Sequence, residues 1–494
     1  MTRMRLRPDQ VDRAAGVLLG AACGDALGAG YEFGVSSPPP VGQRPAMIGG
    51  GLGNFAPGEW TDDTAQTYAV AQVAARRFEL RSVESLDEVA RGLGDWYAGR
   101  PPDIGVLTRT VLHAAGAHPT AQALVSAANA EHARTGHTAG NGSLMRTSAV
   151  ALAHLHDEGA VLVEAAMGVS ALTHADPRAG EACALWCLAI RHAVLTGTFD
   201  GVRQAVHELP AGSRDFWRDR LDEAQSKDPS AFTPNGFVVT ALQAAWSAIE
   251  HTPAPRHDPA AGSFGCGQVL DALEAAIRIG NDTDTVASIA GALLGARWGA
   301  SAFPAEWRGM VHGWRDARAD DLVDLALLTV NRGPDSIGWP GTEYIDYRHW
   351  SGHDSWAVHP HDPKVYLSGA SALDDLPDDV TAVVSLCRLG STQVPTHVSH
   401  ADFRLLDTTT ADNPNLEFVI DDAARTVARL RSAGETVLLH CVAAKSRTPT
   451  VGARYAVLRG VDLETALSEV CAALPSAAPN SALVDALRAL GDVR

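Results

Sequence analysis

From residue 11 to about residue 332 the chain is Ala-rich and almost free of strand-like alternation. Apolar residues recur at spacings of three and four, with Gly or Pro between runs, the pattern of one helix after another. The spacing predicts helices over 64–77, 83–97, 120–133, 148–156, 160–172, 179–195, 237–249, 269–279 and 286–295. No fixed-period repeat of the solenoid type is visible. Residues 331–362 are rich in Gly, Pro, His, Trp and Tyr and read as irregular connection. Beyond them, strand-like runs over 365–368, 381–386, 403–406 and 436–440 alternate with helices over 416–433, 449–459 and 463–474. That alternation predicts a small α/β domain with a mostly parallel sheet. At 494 residues the chain is too long for one ordinary core. The expected division is an all-α domain over 1–332, a linker over 333–362 and an α/β domain over 363–494.

Within the helical part, Trp60-Thr61-Asp62-Asp63-Thr64-Ala65-Gln66 places two adjacent carboxylates between hydroxyls, just after a Gly-rich run over 49–53. A helix start favours carboxylates in any protein, so one Asp is explained as a cap. A second is not, and the pattern returns at Asp282-Thr283-Asp284-Thr285. Hard cations such as Mg²⁺ take oxygen ligands. Two such clusters meeting in space would hold one or two of them.

The formal net charge of −18 argues against general nucleic-acid or acidic-membrane binding. The Arg-rich start over 1–13 leads into a small-residue run interrupted by Asp25, without a clean apolar segment, so no signal peptide and no membrane span are expected. Seven scattered cysteines suit a reducing cytoplasm, the expected location. Cys183 and Cys187, one helical turn apart, read as buried apolar groups.

Four further segments accompany the acidic clusters: Gly24-Asp25-Ala26-Leu27-Gly28-Ala29-Gly30-Tyr31-Glu32-Phe33, Pro102-Asp103-Ile104-Gly105, Gly140-Asn141-Gly142-Ser143-Leu144-Met145-Arg146 and Thr173-His174-Ala175-Asp176. Gly-rich turns bearing Asn and Ser bring backbone close to polar ligands, often phosphates. Together these ordered motifs resemble the ADP-ribosylglycohydrolase family over roughly the first two thirds of the chain. The resemblance implies an all-α fold with two divalent cations, Mg²⁺ before Mn²⁺, held by Thr61, Asp62, Asp63, Asp282, Asp284 and Thr285. It implies ADP-ribose contacts at Asn141, Gly142, Ser143 and His174. It also implies an acidic mobile-loop residue at Glu32 and an acidic residue near the scissile bond at Asp103. Glycosidic cleavage builds positive charge at the anomeric carbon, and a nearby carboxylate can take or give the proton. Asp103 and Glu32 both fit, and the sequence does not choose. Asp25 reads as a cap or an Arg partner, His174 alone as a satisfied buried histidine, and Arg146 as a structural ion-pair partner.

The second constellation is His440-Cys441-Val442-Ala443-Ala444-Lys445-Ser446-Arg447-Thr448, between the apolar strand and a helix opened by Pro449. Loop N–H groups and a helix N-terminus favour an anion there and lower a thiol pKa, while Arg447 can grip phosphate bidentately. This resembles the cysteine-dependent, dual-specificity type of protein phosphatase over roughly 363–494. The resemblance implies Cys441 as nucleophile, Arg447 as phosphate binder and Thr448 as support for the thiolate. It puts the general acid at Asp407, with Asp412 as runner-up; either Asp also fits a loop turn. The family usually has Gly where Ala444 stands. If that position needs φ > 0, Ala costs on the order of 1 kcal/mol. Lys445 suits a strongly anionic substrate, or is a solvated surface residue.

The expected function is a metal-dependent hydrolase removing ADP-ribose from a modified protein or other conjugate, coupled to a Cys-dependent phosphatase acting on a phosphorylated protein or nucleotide-type substrate. Two alternatives stand beside it: a glycohydrolase with a non-catalytic phosphate-binding module, and a non-enzymatic ADP-ribose sensor.

Overall fold

The computed structural model describes residues 6–40 and 42–492; the first five residues of the expected helical domain and the last two of the α/β domain lie outside the described residues. Helix α1 (Pro8–Gly28) runs through the middle of the helical region, with almost every side chain buried. It packs along the helix Thr283–Trp298. Small residues recur along α1 at every fourth position, Gly16, Gly20, Gly24 and Gly28, which puts them on one face. A Cβ at Gly20 would collide with the carbonyl oxygen of Gly291, and one at Gly16 with that of Gly295. The two backbones are therefore in direct contact, an approach that only residues without a Cβ permit. Over Pro8–Gly34 the chain is long and apolar enough to cross a membrane by length and composition, and its most apolar window is wholly buried inside the protein.

Each helix expected from the spacing is present, with shifted ends. Helix α2 (Asp62–Arg77) starts two residues before the expected 64 because Thr61 caps it. Further helices, among them Val106–Ala115, Arg214–Ser226, α4 (Ala319–Asn331) and Ser481–Leu490, complete the chain; Thr283–Trp298 is α3.

The α/β region holds one five-stranded sheet. Its strands are β1 (Trp356–His359), β2 (Asp362–Ser368), β3 (Ala382–Ser385), β4 (Ser399–Asp402) and β5 (Val437–His440), in the order β1-β2-β5-β3-β4. β1 is antiparallel to β2, and the other neighbours are parallel. Two expectations are corrected. β1 falls inside the expected linker over 333–362, where its aromatic and polar composition hid it. The strand expected over 403–406 lies four residues earlier. β4 is a polar edge strand with little hydrophobic signal, and the apolar Phe403 and Leu405 bury beyond its end.

The two regions are joined by polar contacts as well as apolar ones. Ala305 N donates to Asp422 (2.8 Å), Arg308 pairs with Asp402 (3.1 Å), and Asn415 Nδ2 donates to Trp298 O (2.7 Å) and Ser301 Oγ (2.8 Å). Phe264 and Phe418 meet edge to face with centroids 5.5 Å apart. The backbone contact of α1 with α3 generates a prediction. Gly20→Ala or Gly291→Ala forces the helices apart and costs roughly 2–3 kcal/mol, the scale of an overpacked core. Thermal melting checks it, and a variant that melts with the wild type would show that the helices have room.

Candidate active sites

Helix geometry brings the two acidic motifs together. Thr61 Oγ1 accepts from Asp63 N (3.4 Å) and caps α2, leaving Asp62 and Asp63 in its first turn, where the helix dipole favours them. Asp282 and Asp284 occupy the matching start of α3. Thr285 Oγ1 donates across to Asp63 Oδ2 (3.1 Å), and Thr61 Oγ1 donates to the same oxygen (3.3 Å). Asp62 accepts from Gln66 Nε2 (2.9 Å), and Asp282 from Asn141 Nδ2 (2.7 Å).

Glu32, at the kink of the 3-10 segment Ala29–Gly34, and Asp103, on a loop, join this centre. Carboxylate oxygens of Glu32, Asp103 and Asp284 all lie within 4.8 Å of one another. Burial, then the nearby Asp103, Asp282 and Asp62, pushes the Glu32 carboxyl up to about 9. Burial and neighbouring carboxylates also raise Asp62, Asp63 and Asp284 well above the usual range, and burial raises Asp103. Asp63 Oδ1, Asp284 Oδ1 and Glu32 Oε2 are buried without a hydrogen-bond partner. Buried carboxylate oxygens with no donor are costly, and bound cations remove that cost. All-oxygen donors from carboxylates and threonine hydroxyls match Mg²⁺ or Mn²⁺.

Asp25 is a cap rather than an Arg partner. It accepts from Thr61 N (2.9 Å), Thr64 N (2.9 Å) and Thr64 Oγ1 (2.6 Å), so it fixes the start of α2 under the site. Asn141 is held between Asp282 and the carbonyl of Asn235 (3.1 Å). Ser143 is fully buried and accepts from Ser170 Oγ (2.9 Å), which places it as support for the loop. The His174 ring lies against Gly140 and Gly142, with Nδ1 on Thr173 Oγ1 (2.7 Å), and burial pushes its pKa down to about 3. Arg146 is structural, as expected, but not through an ion pair: it donates to Gln66 Oε1 (2.8 Å) and Thr173 Oγ1 (2.6 Å). Gln66 thus links Asp62 to Arg146, and Asn235 orders Asp282 by accepting from its N–H (3.0 Å). The sequence reading missed both residues; Asn235-Gly236, a turn dipeptide, was the available signal for the second.

The phosphate-type loop follows β5 at the carboxyl end of the sheet. Its helix, α6 (Arg447–Leu458), starts two residues before Pro449, after α5 (Leu416–Ser432). Cys441 is buried at the loop's start. Arg447 Nη1 donates to the carbonyls of Leu386 (2.7 Å) and Leu405 (3.1 Å), while its Nε is buried and unpartnered. Thr448 Oγ1 donates to Ser368 O (3.4 Å), not to the thiol the resemblance assigned it. Asn480 ties Asp407 to the loop: Nδ2 donates to Asp407 Oδ1 (2.6 Å) and its N–H to Ser446 Oγ (3.0 Å). Asp412 lies near its own turn's Thr409 Oγ1 (3.5 Å), the turn-residue alternative. Lys445 is exposed. Below the loop, Ser385 Oγ bridges His440 Nε2 (2.7 Å) and His400 Nε2 (2.9 Å), and burial pushes His440 down to about 3.

Paired acidic helix starts with orphaned buried oxygens define a helical protein with a buried carboxylate centre, followed by a cysteine–arginine loop on a small sheet. The chain belongs to the ADP-ribosylglycohydrolase family, whose model matches residues 6–335. It is 30% identical over 341 residues to the ADP-ribosylarginine hydrolase Tri1 of Pseudomonas putida (strain GB-1), covering 67% of this chain and 81% of that protein. It is 27% identical over 302 residues to the ADP-ribosyl-(dinitrogen reductase) glycohydrolase of Rhodospirillum rubrum, covering 61% and 90%. A separate match reaches dual specificity protein phosphatase 1 of Arabidopsis thaliana: 27% identity over 109 residues, 22% of this chain and 55% of that protein. The C-terminal α/β region thus resembles dual-specificity phosphatases.

Ala444 has φ +50° and is fully buried, so the position does require the left-handed region. Ala444→Gly should stabilise the protein by about 1 kcal/mol, read as a rise in denaturant midpoint. An unchanged midpoint would show that the loop carries no such strain.

Proposed function

We propose that the helical domain hydrolyses the glycosidic bond between ADP-ribose and an arginine side chain of a modified protein. The observation that carries this reading is the convergence of Glu32, Asp103 and Asp284 beside Asp62, Asp63 and Asp282. The arginine linkage follows from the relative named above as an ADP-ribosylarginine hydrolase. Thr61, Asp62, Asp63, Asp282, Asp284 and Thr285 would hold two divalent cations, Mg²⁺ before Mn²⁺. When bound, such ions hold sugar hydroxyls and acidify a water. Glu32 and Asp103 form the acid–base pair: carboxylates this close cannot both ionise freely, so one keeps a proton. That proton goes to the departing guanidine nitrogen as the anomeric carbon–nitrogen bond breaks. Water adds its oxygen to the carbon and gives its proton back to the pair. Gly140 and Gly142 let the loop lie flat on the neutral His174 ring, forming one wall of the sugar site.

In the second domain, Cys441 as thiolate attacks phosphorus, the ester bond breaks, and Asp407 protonates the leaving oxygen. Water then hydrolyses the phosphocysteine and releases phosphate. The tie from Asp407 through Asn480 to Ser446 favours this over a binding-only module. Phosphorylated partners, and substrates shared by the two heads, fit this reading.

Incubation with ADP-ribosylated arginine and serine peptides and Mg²⁺, read by mass spectrometry, tests the first head. ADP-ribose should leave the arginine peptide, and Asp62→Ala and Asp284→Ala should each slow release at least about a hundredfold. Release that ignores both substitutions or survives a chelator would defeat the metal assignment, and binding without release would make the domain a sensor. For the second head, turnover of an aryl phosphate should vanish in Cys441→Ser. Wild-type protein that binds phosphate and turns nothing over would make the module a recruiter.

A further inference from the structure

The segment that follows β4 and leads to Asp407 is held by both domains. Phe403 N donates to Ser385 O (2.8 Å), so the chain stays beside β3 for one residue past the strand. Side chains alternate along extended backbone. Phe403 and Leu405 are buried in the α/β core. Asp402 and Arg404, at the alternate positions, both reach the helical domain.

Asp402 pairs with Arg308 (3.1 Å), on the short helix Ala305–Met310. The Arg404 guanidinium meets the start of α1: Nη2 donates to Pro8 O (2.5 Å), and Nε lies 3.7 Å from Asp12 Oδ1. Pro8 and Asp12 are four residues apart and so share a face of α1. The Asp12 carboxylate is wholly buried and accepts from Ser301 N (3.2 Å) and Ser301 Oγ (2.6 Å). Arg404 therefore grips a partner that is itself fixed. The next residues are tied to the α/β domain. Leu405 O accepts from Arg447 Nη1 (3.1 Å), Leu406 N donates to Asn413 Oδ1 (2.8 Å), and Asn413 Nδ2 donates back to Leu406 O (3.0 Å). Asp407 follows at once, exposed, with its Oδ1 on Asn480 Nδ2 (2.6 Å).

We propose that Arg404 and Arg308 are positioning residues for the phosphatase reaction: by tying this segment to the helical domain they place Asp407 where it protonates the leaving oxygen. The inference rests on the phosphatase reading of Cys441 and Asp407. The helical domain is then part of the scaffold for the other domain's chemistry. A general acid matters only where the leaving oxygen needs a proton, and displacing it by about 1 Å can cost up to a hundredfold in rate.

Two esters differ in that need. The phenolate of phenyl phosphate must be protonated as it leaves, and that of 2,4-dinitrophenyl phosphate leaves without a proton. With the full-length protein, R404M should lower kcat for phenyl phosphate about tenfold and leave kcat for the dinitrophenyl ester within about twofold. In a D407N background, R404M should cost phenyl phosphate turnover nothing more, because the group it positions is already gone. Variants are read on protein that is folded at the assay temperature. If R404M does not fold, R308M, which removes the tie to Asp402 from the helical side, carries the same test. Equal losses on both esters, a loss that persists in the D407N background, or no loss at all would overturn the inference while the phosphatase reading stands. No Cys441-dependent turnover of either ester, or D407N protein as fast as wild type on phenyl phosphate, would overturn the phosphatase reading of these residues and the inference with it.

Discussion

The close approach of α1 and α3 is the constraint on which the buried acidic centre depends. Asp25 projects from α1 and Asp284 from α3, and Gly24 and Gly28 let these backbones touch at the level of the site. Asp25 then reaches the free N–H groups of Thr61 and Thr64 and fixes where α2 begins. One helix contact thereby sets the positions of two carboxylate pairs separated by more than two hundred residues. Larger residues on this face would separate the helices by ångströms, and cation coordination tolerates only tenths.

That arrangement concentrates negative charge where water is scarce. Burying carboxylates beside one another costs free energy that a protein selected for stability alone would avoid. Caps, threonine hydroxyls and amide donors offset part of it, while Asp63, Asp284 and Glu32 each keep an oxygen with no donor. The remainder is a cost that a bound divalent cation would remove. The loop at Cys441 holds strain of another kind, in the backbone, with a methyl group at Ala444 where φ is positive.

Much of this was legible in the chain. Helix after helix appeared from the three-and-four spacing, because burial of one face writes itself into sequence. The acidic motifs and the Cys-x5-Arg loop were visible because their chemistry needs particular residues at fixed offsets. β1 and β4 were not legible in place, since half-exposed strands carry weak alternation and Phe403 and Leu405 drew the signal past the sheet. Asp25 stayed ambiguous because its partners lie 36 to 39 residues away. Arg146 misled for a related reason: its charge suggests a carboxylate, while its position places it among an amide and a hydroxyl.

Local order, the residue types of both candidate sites and the division into a helical and a mixed part were determined by the sequence itself, because propensity, capping and motif spacing act over a few residues. Which carboxylates meet and which Asp stands by the cysteine loop were decided only in three dimensions. Those outcomes depend on contacts between segments hundreds of residues apart, whose distances no local pattern encodes.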